Sequence, residues 1–394
     1  MHLHSHTIKR FYSLDVLRGL AALSIVFYHW GHFFYTGRIP GPDGLAGLPL
    51  STIFLPFYVN GWLAVDLFFC LSGFIFYWLY AKRVSNATIS FRRFVWLRFS
   101  RLYPLHFLTL ICVAIGQTWL LRTRGDSFVY CCNDAWHFLL NLFFVSSWGF
   151  DAGPSFNGPS WSISVEVFLY VLFFALCRLW PRRICLLLTY ALAGFLLARL
   201  CSWTVGRGIC SFFLGGAVFF LYAKTAASSR LAVIAKLSLP LSVGAWLGTF
   251  MAGFYLHGVD FSALPWSHIP LVTRLEPAIM AKIVKRILEM WIVLALFPAT
   301  IFTLATVEAW QGALGRHFSF IGDISYSSYL IHFPLQLILY IMDEQFGRQW
   351  LGLDYSSPLF MASFFAGLIF ISLCSYRYFE LPTQRFLRRL WRQS

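Results

Sequence analysis

Asp15, Arg18 and His29 stand in one otherwise apolar stretch near the start of the chain. The segment SLDVLRGLAALSIVFYHW, residues 13–30, holds Arg18 and His29 among mostly apolar and small side chains. Eleven helical steps leave a rotation of about 20° after three turns, so both side chains lie on one face, about 16 Å apart along the axis. An imidazole can take a proton near neutral pH, and a guanidinium can hold an anion. The spacing predicts a polar face suited to proton transfer, whereas snorkelling of Arg18 to headgroups and a loop contact of His29 are the structural alternatives.

Two carboxylates lie inside other apolar stretches. Asp66 stands in NGWLAVDLFFCLSGFIF, and Glu166 stands in GPSWSISVEVFLYVLFF. If the second of these stretches enters the membrane from outside, Glu166 lies about 9 Å below the outer boundary, at a depth similar to that of His29. A general base needs a partner that orients it, so we predict that Glu166 pairs with His29. For Asp66, a role in the site and a structural hydrogen bond to a neighbouring helix both stay open.

Arg98 and Arg101 are the third candidate pair. They occur in FRRFVWLRFSRLYPLHF with i, i+3 spacing, so both project from one side of a helix. Two guanidiniums at the mouth of a span can clamp phosphates through bidentate hydrogen bonds. Ordinary anchoring of the span at the cytoplasmic surface is the alternative interpretation.

A polar stripe runs through IGDISYSSYLIHFPLQLIL. Ser325, Ser328, Tyr329 and His332 follow 3–4 spacing and therefore share one helix face. Such a stripe either lines a cavity or binds helix to helix, and we favour the cavity. Further on, Pro382 predicts that a helix ends near Glu380.

The composition determines which elements position these residues. Of the 394 residues, 59% are hydrophobic and 12% are charged, against about 25% charged in a typical soluble domain. The apolar runs are roughly 18 to 25 residues long, as bilayer-spanning helices require. The sequence therefore predicts an all-α polytopic membrane protein with about ten transmembrane helices. The predicted spans are 13–35, 57–80, 102–121, 160–180, 184–203, 208–222, 237–256, 287–307, 320–342 and 358–378.

The distribution of basic residues predicts the orientation. With the amino terminus in the cytoplasm, cytoplasmic segments hold about twice as many Lys and Arg residues as outer segments, which favours placing both termini inside. Residues 1–12 then form a cytoplasmic tail, residues 13–378 a single transmembrane domain, and residues 379–394 a basic cytoplasmic tail. The same rule explains the net charge of +15 without nucleic acid as a partner. The nine cysteines show no zinc-binding spacing, so no metal is expected.

Five motifs together resemble acyltransferase family 3, the polytopic acyl-CoA-dependent O-acyltransferases of bacterial envelopes. The Arg-x10-His pattern matches Arg18 and His29, VDLFFxLSGF matches VDLFFCLSGF, and RxxR matches Arg98 and Arg101. SWSLSxExxFY matches SWSISVEVFLY with two replacements, and SYSxYLxHxP matches SYSSYLIHFP. The motifs occur in the order found in the family and cover nearly the whole chain, which looks like the stand-alone type without a C-terminal hydrolase-like domain.

The resemblance implies an activity and a location. It implies that acyl-CoA, most simply acetyl-CoA, binds from the cytoplasm and that a carbohydrate or glycolipid in the bacterial inner membrane accepts the acyl group on its outer side. His29, Glu166 and Arg18 would be catalytic, and Arg98 and Arg101, with Arg18, would bind acyl-CoA. Direct transfer and a covalent acyl-histidine intermediate both stay open. The remaining expected lining residues of the site are Asp66, Ser160, Trp161, Tyr329 and His332.

One rival function is compatible with the same residues. A transporter or flippase for a glycolipid or small molecule would use embedded ionisable groups as a proton relay. Acyl transfer from acyl-CoA to carbohydrate would distinguish the enzyme from the transporter.

Overall fold

The chain is helical throughout its described parts. A computed structural model describes residues 10–41, 47–179, 183–201, 203–258, 277–346 and 353–393. These ranges contain no β-strand, only an isolated bridge between Thr36 and Ile39, which confirms the predicted all-α class. Residues 1–9 of the predicted amino-terminal tail lie outside the described residues.

Fourteen principal helices carry the fold within these ranges. In chain order they are α1 (Tyr12–Tyr28), α2 (Ser51–Asn60), α3 (Ala64–Phe76), α4 (Phe91–Arg124), α5 (Ala135–Leu142), α6 (Trp161–Leu179), α7 (Ile184–Leu200), α8 (Thr204–Ala226), α9 (Leu231–Gly258), α10 (Pro277–Trp291), α11 (Phe297–Gln311), α12 (Ser325–Phe346), α13 (Pro358–Cys374) and α14 (Leu381–Gln393). The shorter pieces are 3-10 turns at His29–Phe34, Gly61–Leu63, Gly158–Ser160 and Arg316–Phe318, π-helical turns at Tyr77–Ala81, Ile292–Leu296 and Ser375–Glu380, and single α-turns at Lys82–Ser85 and Phe320–Asp323.

Seven helical stretches of the described chain are long and apolar enough to cross a membrane, so the chain is a multi-pass membrane protein. They are Ser51–Ser85, Phe91–Arg124, Gly158–Leu179, Thr204–Ala226, Leu231–Tyr255, Ile279–Gln311 and Pro358–Trp391. The other three predicted spans fall on α1, α7 and α12, which are helical but do not meet both criteria. The count of ten spans and the placement of both termini in the cytoplasm therefore stay predictions.

The helix expected to end near Pro382 continues instead. The π-helical turn Ser375–Glu380 joins α13 directly to α14. Pro382 therefore lies inside a continuous helical stretch, directly after a π-helical turn, and both features can bend a helix without ending it. The carboxyl-terminal tail of the sequence prediction is therefore a helix, and it packs on α4: Trp96 Nε1 donates to the Leu387 carbonyl at 3.0 Å, and the rings of Trp96 and Trp391 stack at 5.7 Å.

A buried carboxylate from α11 caps α1. The residue before α1 is Phe11, whose side chain makes no cap hydrogen bond. Glu308 instead accepts hydrogen bonds from the backbone nitrogens of Tyr12 and Ser13 at 2.8 and 2.9 Å, and from Ser13 Oγ at 2.6 Å. A negative charge also interacts favourably with the positive end of the helix. Glu308 thereby helps to fix the position of the helix that carries Arg18 and leads to His29.

Close backbone approach positions α1 against the chain that enters α12. A Cβ added to Gly19 would lie 2.7 Å from the backbone carbonyl carbon of Ile321. A Cβ added to Gly322 would clash with the backbone carbonyl oxygen of Asp15. Glycine at both positions lets the two segments touch, as small residues do between membrane helices. The contact brings the side chain of Arg18 beside the start of α12.

We predict that Glu308→Ala destabilises the protein. The change leaves buried N–H groups without their acceptor, which costs about 2 to 3 kcal/mol for hydrogen bonds to a charged group. Thermal unfolding of the detergent-purified protein should show a lower midpoint than wild type. Glu344→Ala is the control, because Glu344 forms a partly exposed pair with Arg124 that contributes little. Equal midpoints for the two variants would contradict the capping role.

Candidate active site

Two adjoining cavities are lined by half of the ten predicted site residues. The first, of about 850 Å³, lies among α1, α3, α4, α6 and α12, and the second, of about 1180 Å³, extends from it to α14. Arg18, Ile75, Arg101 and Tyr326 line both, so the cavities meet at these side chains. The predicted site residues that line the first cavity are Arg18, Arg98, Arg101, Glu166 and Tyr329.

Arg18 and His29 do share a face, as their spacing predicts. Arg18 Nε donates to Ser325 Oγ at 3.0 Å, and its Nη2 donates to the Gly322 carbonyl at 2.7 Å. His29 Nδ1 lies 2.9 Å from His332 Nε2. Ser325 and His332 both belong to α12, so the two side chains are directed at the same helix. Arg18 also pairs with Asp15 at 3.1 Å, the partner expected if the arginine were only an anchor.

The two imidazoles form a nearly parallel pair. The rings of His29 and His332 are 5.0 Å apart at 10°, and His332 is fully buried. His332 Nδ1 makes no hydrogen bond of good geometry, and the other acceptors that its ring approaches are the carbonyl oxygens of Ser328 and Tyr329. A proton on Nδ1 suits carbonyl neighbours and leaves Nε2 as an acceptor. His29 Nδ1–H then donates to His332, and the lone pair of His29 Nε2 is free to accept a proton.

Glu166 has other partners than the one predicted from its depth. Its Oε1 accepts hydrogen bonds from Tyr170 at 2.6 Å and from Ser72 at 3.1 Å. Glu166 therefore faces α3 and its own next turn, while His29 faces α12. Depth in the membrane does not determine the direction in which a side chain points around the bundle. The carboxylate still lines the first cavity, one part of the predicted site.

Tyr329 links the first cavity to the imidazole pair. It lines that cavity, its hydroxyl lies 2.7 Å from Ser162 Oγ and donates to the Pro159 carbonyl at 2.5 Å, and its ring lies 6.1 Å from that of His332. His29 and His332 are not among the residues that line the two described cavities. The imidazoles therefore lie just beyond Tyr329.

The two arginines of α4 both face the cavities. Arg98 Nη2 donates to the Tyr80 hydroxyl at 2.6 Å, and its guanidinium lies 5.3 Å from the centre of the Phe76 ring. Its buried Nε has no hydrogen-bond partner among the described residues. Arg101 lines both cavities and is exposed. Neither Arg98 nor Arg101 forms an ion pair with a carboxylate among the described residues. Both guanidiniums are therefore available to bind an anionic ligand.

Asp66 takes the structural role that the sequence left open. Its buried carboxylate pairs with Arg207 at 2.6 Å and accepts from Ser211 at 3.3 Å, both on α8. The Arg207 guanidinium lies over the rings of Trp62 and Trp161, at 4.6 and 5.5 Å. Arg207 therefore neutralises a carboxylate that would be costly alone in the membrane. Asp66 is not among the described lining residues of the two cavities.

The motif SWSIS, residues 160–164, directs Ser162 and Ile163 to the first cavity. Ser160 Oγ donates to Asn141 Oδ1 at 3.1 Å, and Trp161 packs on Arg207, so both contact neighbouring helices. Neither Ser160 nor Trp161 lines the two described cavities, whereas Ser162 lines the first.

Sequence reasoning missed Arg207 and the serine and tyrosine partners of Glu166. A carboxylate at Asp66 signals that some cation must approach it, and Arg207 at the start of an apolar run is a candidate for that cation. Tyr170, four residues after Glu166, was visible as an i, i+4 neighbour.

Comparison with known proteins gives one family and several partial relatives. The acyltransferase-domain family matches residues 11–377. Protein 2 in the picA locus of Rhizobium radiobacter is 41% identical over 27% of this chain and 45% of its own length. Acyltransferase MdmB of Streptomyces mycarofaciens is 31% identical over 45% of this chain and 41% of its own. Peptidoglycan O-acetyltransferase OatA of Listeria monocytogenes is 27% identical over 44% of this chain and 28% of its own.

The chain matches less than half the length of each of these relatives. No solved structure matches it significantly. The family match extends from the residue before α1 into the π-helical turn after α13. It therefore covers every motif and all residues that line the two cavities except Arg10, Glu380 and those of α14. The chain therefore belongs to the acyltransferase family that its five motifs resemble.

Proposed function

We propose that this protein is an integral-membrane O-acyltransferase. It moves an acyl group, most simply acetyl, from cytoplasmic acyl-CoA to a hydroxyl of an envelope carbohydrate at the outer side of the bacterial inner membrane. The observation that carries this proposal is the pair of adjoining cavities, which run from an arginine-rich end past Arg18 to Tyr329, beside the imidazole pair. Family membership and relatives named as an acyltransferase and a peptidoglycan O-acetyltransferase support it.

The arginine-rich end suits the donor. Acyl-CoA carries phosphates at one end and the thioester at the other, so it must enter with its charges at an aqueous mouth. Arg98 and Arg101 bind the phosphates through charge-assisted hydrogen bonds. The pantetheine arm then passes Arg18, where the two cavities meet, and brings the thioester toward Tyr329.

The imidazole pair suits the chemical step. His29 Nε2 takes the proton of the acceptor hydroxyl as that oxygen attacks the thioester carbonyl. The carbon–sulfur bond breaks, and the proton passes from the imidazolium to the departing CoA thiolate. His332 holds His29 in the required tautomer, the role first predicted for Glu166. Glu166, bound by Ser72 and Tyr170, places a carboxylate on the wall of the path instead.

The transporter alternative makes a different use of the same path. A flippase needs a continuous route for its cargo, and its ionisable residues carry protons. It consumes no thioester, so the fate of labelled acyl groups separates the two functions.

We predict that membranes containing the wild-type protein transfer label from radioactive acetyl-CoA to carbohydrate, in a form released by mild alkali. His29→Ala should abolish the transfer, because the base is lost, and Arg18→Ala should do the same. His317→Ala is the control, since His317 is exposed and lies outside the site. Full labelling by H29A would overturn the proposed step, and transport of carbohydrate without labelling would favour the flippase.

His332 should act through His29. We predict that His332→Phe, which removes the acceptor of the His29 Nδ1 proton, lowers kcat about 100-fold or more. His332→Gln keeps an acceptor oxygen and should retain an intermediate rate. The KM for acetyl-CoA should change little in either variant, which separates orientation of the base from donor binding. Equal rates for the Phe and Gln variants would contradict the tautomer argument.

Arg98→Ala should weaken donor binding. Loss of a phosphate contact should raise the KM for acetyl-CoA about tenfold and leave the KM for carbohydrate extracted from the host envelope nearly unchanged. Arg92→Ala is the matched control, because Arg92 is exposed on the same helix and lines neither described cavity. An unchanged KM for acetyl-CoA in R98A would contradict the donor-binding role and favour anchoring of the span at the membrane surface as the role of Arg98 and Arg101.

A further inference from the structure

The carboxylates of the second cavity already have partners. Asp15 lies 2.6 Å from Arg10 and 3.1 Å from Arg18, and Asp323 lies 2.6 Å from Arg10. Glu380 accepts hydrogen bonds from Ser327 and Ser375. Among the described residues, none of these carboxylates forms an ion pair with Arg101 or Arg388, the other two arginines that line the cavity.

Two arginines of this cavity are left without a carboxylate. Arg101 projects from α4 and Arg388 projects from α14, and both line the cavity. Arg98 lies in the adjoining cavity, which Arg101 also lines. Grouped cations repel one another, and the repulsion is relieved when an anion binds between them.

Arg388 lies beside the segment of α4 that carries the other two arginines. Its Nε donates to Ser100 Oγ at 3.3 Å, and its Nη2 donates to the Leu97 carbonyl at 3.5 Å. Leu97 and Ser100 directly precede Arg98 and Arg101 in the chain. The long, weak hydrogen bonds hold the guanidinium in place, and they leave Nη1 free of any hydrogen bond within the described structure.

Resting on the proposed function, we propose that Arg388 is a third phosphate-binding residue for acyl-CoA and that α14 forms one wall of the donor site. The guanidinium completes a cluster that Arg98 and Arg101 begin from α4. The tryptophan contacts that dock α14 on α4 keep this wall in position. The carboxyl-terminal helix is then part of the substrate site.

A lipid headgroup offers the same phosphate chemistry. α14 presents Arg385 and Arg389 as exposed side chains, which can meet anionic lipids at the membrane surface. Arg388 is half-buried and lines the cavity, so its direction favours the soluble donor.

Equilibrium binding of CoA to the purified protein in nanodiscs of neutral phosphatidylcholine tests the assignment. Arg388→Ala should weaken CoA binding about tenfold, as expected for the loss of a charge-assisted hydrogen bond. Arg388→Lys, which keeps the charge, should lose less. Arg389→Ala, the exposed neighbour on the same helix, should bind CoA as wild type does. If R388A does not elute from size-exclusion chromatography as the folded protein does, CoA binding is measured with Arg388→Gln instead.

The outcomes separate this inference from the proposed function. Wild-type affinity in R388A together with weakened binding in Arg98→Ala would overturn the role of Arg388 and leave the acyltransferase intact. No binding of CoA by the wild type would overturn both. A defect of R388A that appears only in nanodiscs with phosphatidylglycerol would assign the residue to the membrane surface and overturn the inference as well.

Discussion

An ionisable side chain inside a membrane protein is costly unless it is paired, hydrogen-bonded or in contact with water, and this constraint organises the whole structure. Asp66 is paired with Arg207, and Glu308 accepts hydrogen bonds from the backbone at the start of α1. Asp15 and Asp323 are both paired with Arg10. Charges satisfied in this way support the fold. Arg98 and Arg101 lack a carboxylate among the described ion pairs and line cavities, and in the proposed function they bind the charged donor where it enters.

The same constraint connects the fold to the chemistry. Glu308 caps α1, and glycine contacts hold α1 against the chain entering α12. As a consequence, Arg18 and His29 both reach α12, Arg18 where the two cavities meet and His29 beyond Tyr329. The His29–His332 hydrogen bond is made possible by this packing, because the two residues lie about three hundred positions apart in sequence. The proposed catalytic geometry therefore depends on the packing of α1 against α12.

The sequence predicted those features that depend on local periodicity. Each predicted span falls on a helix, and the eleven-residue spacing of Arg18 and His29 correctly placed both on one face. It did not predict the partner of His29, because depth along a helix does not determine its rotation about the axis. The sequence predicts Glu166 for that role and His332 only as a lining residue, whereas the structure turns Glu166 toward Ser72 of α3 and brings His332 to His29.

Contacts across the bundle were also out of reach of sequence reasoning. By sequence, Arg207 is only a basic residue at the start of an apolar run, yet it pairs with a carboxylate on another helix. Arg388 was placed in a basic tail, yet that tail is a helix docked on α4. In both cases the side chain type was visible and the neighbour was not, since neighbours between helices depend on the tertiary fold.

A structure of the protein with CoA bound tests the central claim most directly. The account predicts that the CoA phosphates lie within hydrogen-bond distance of Arg98 and Arg101 and that the sulfur lies beside Tyr329, close to His29. CoA bound outside the two cavities, or with its sulfur directed away from the imidazole pair, would contradict the account.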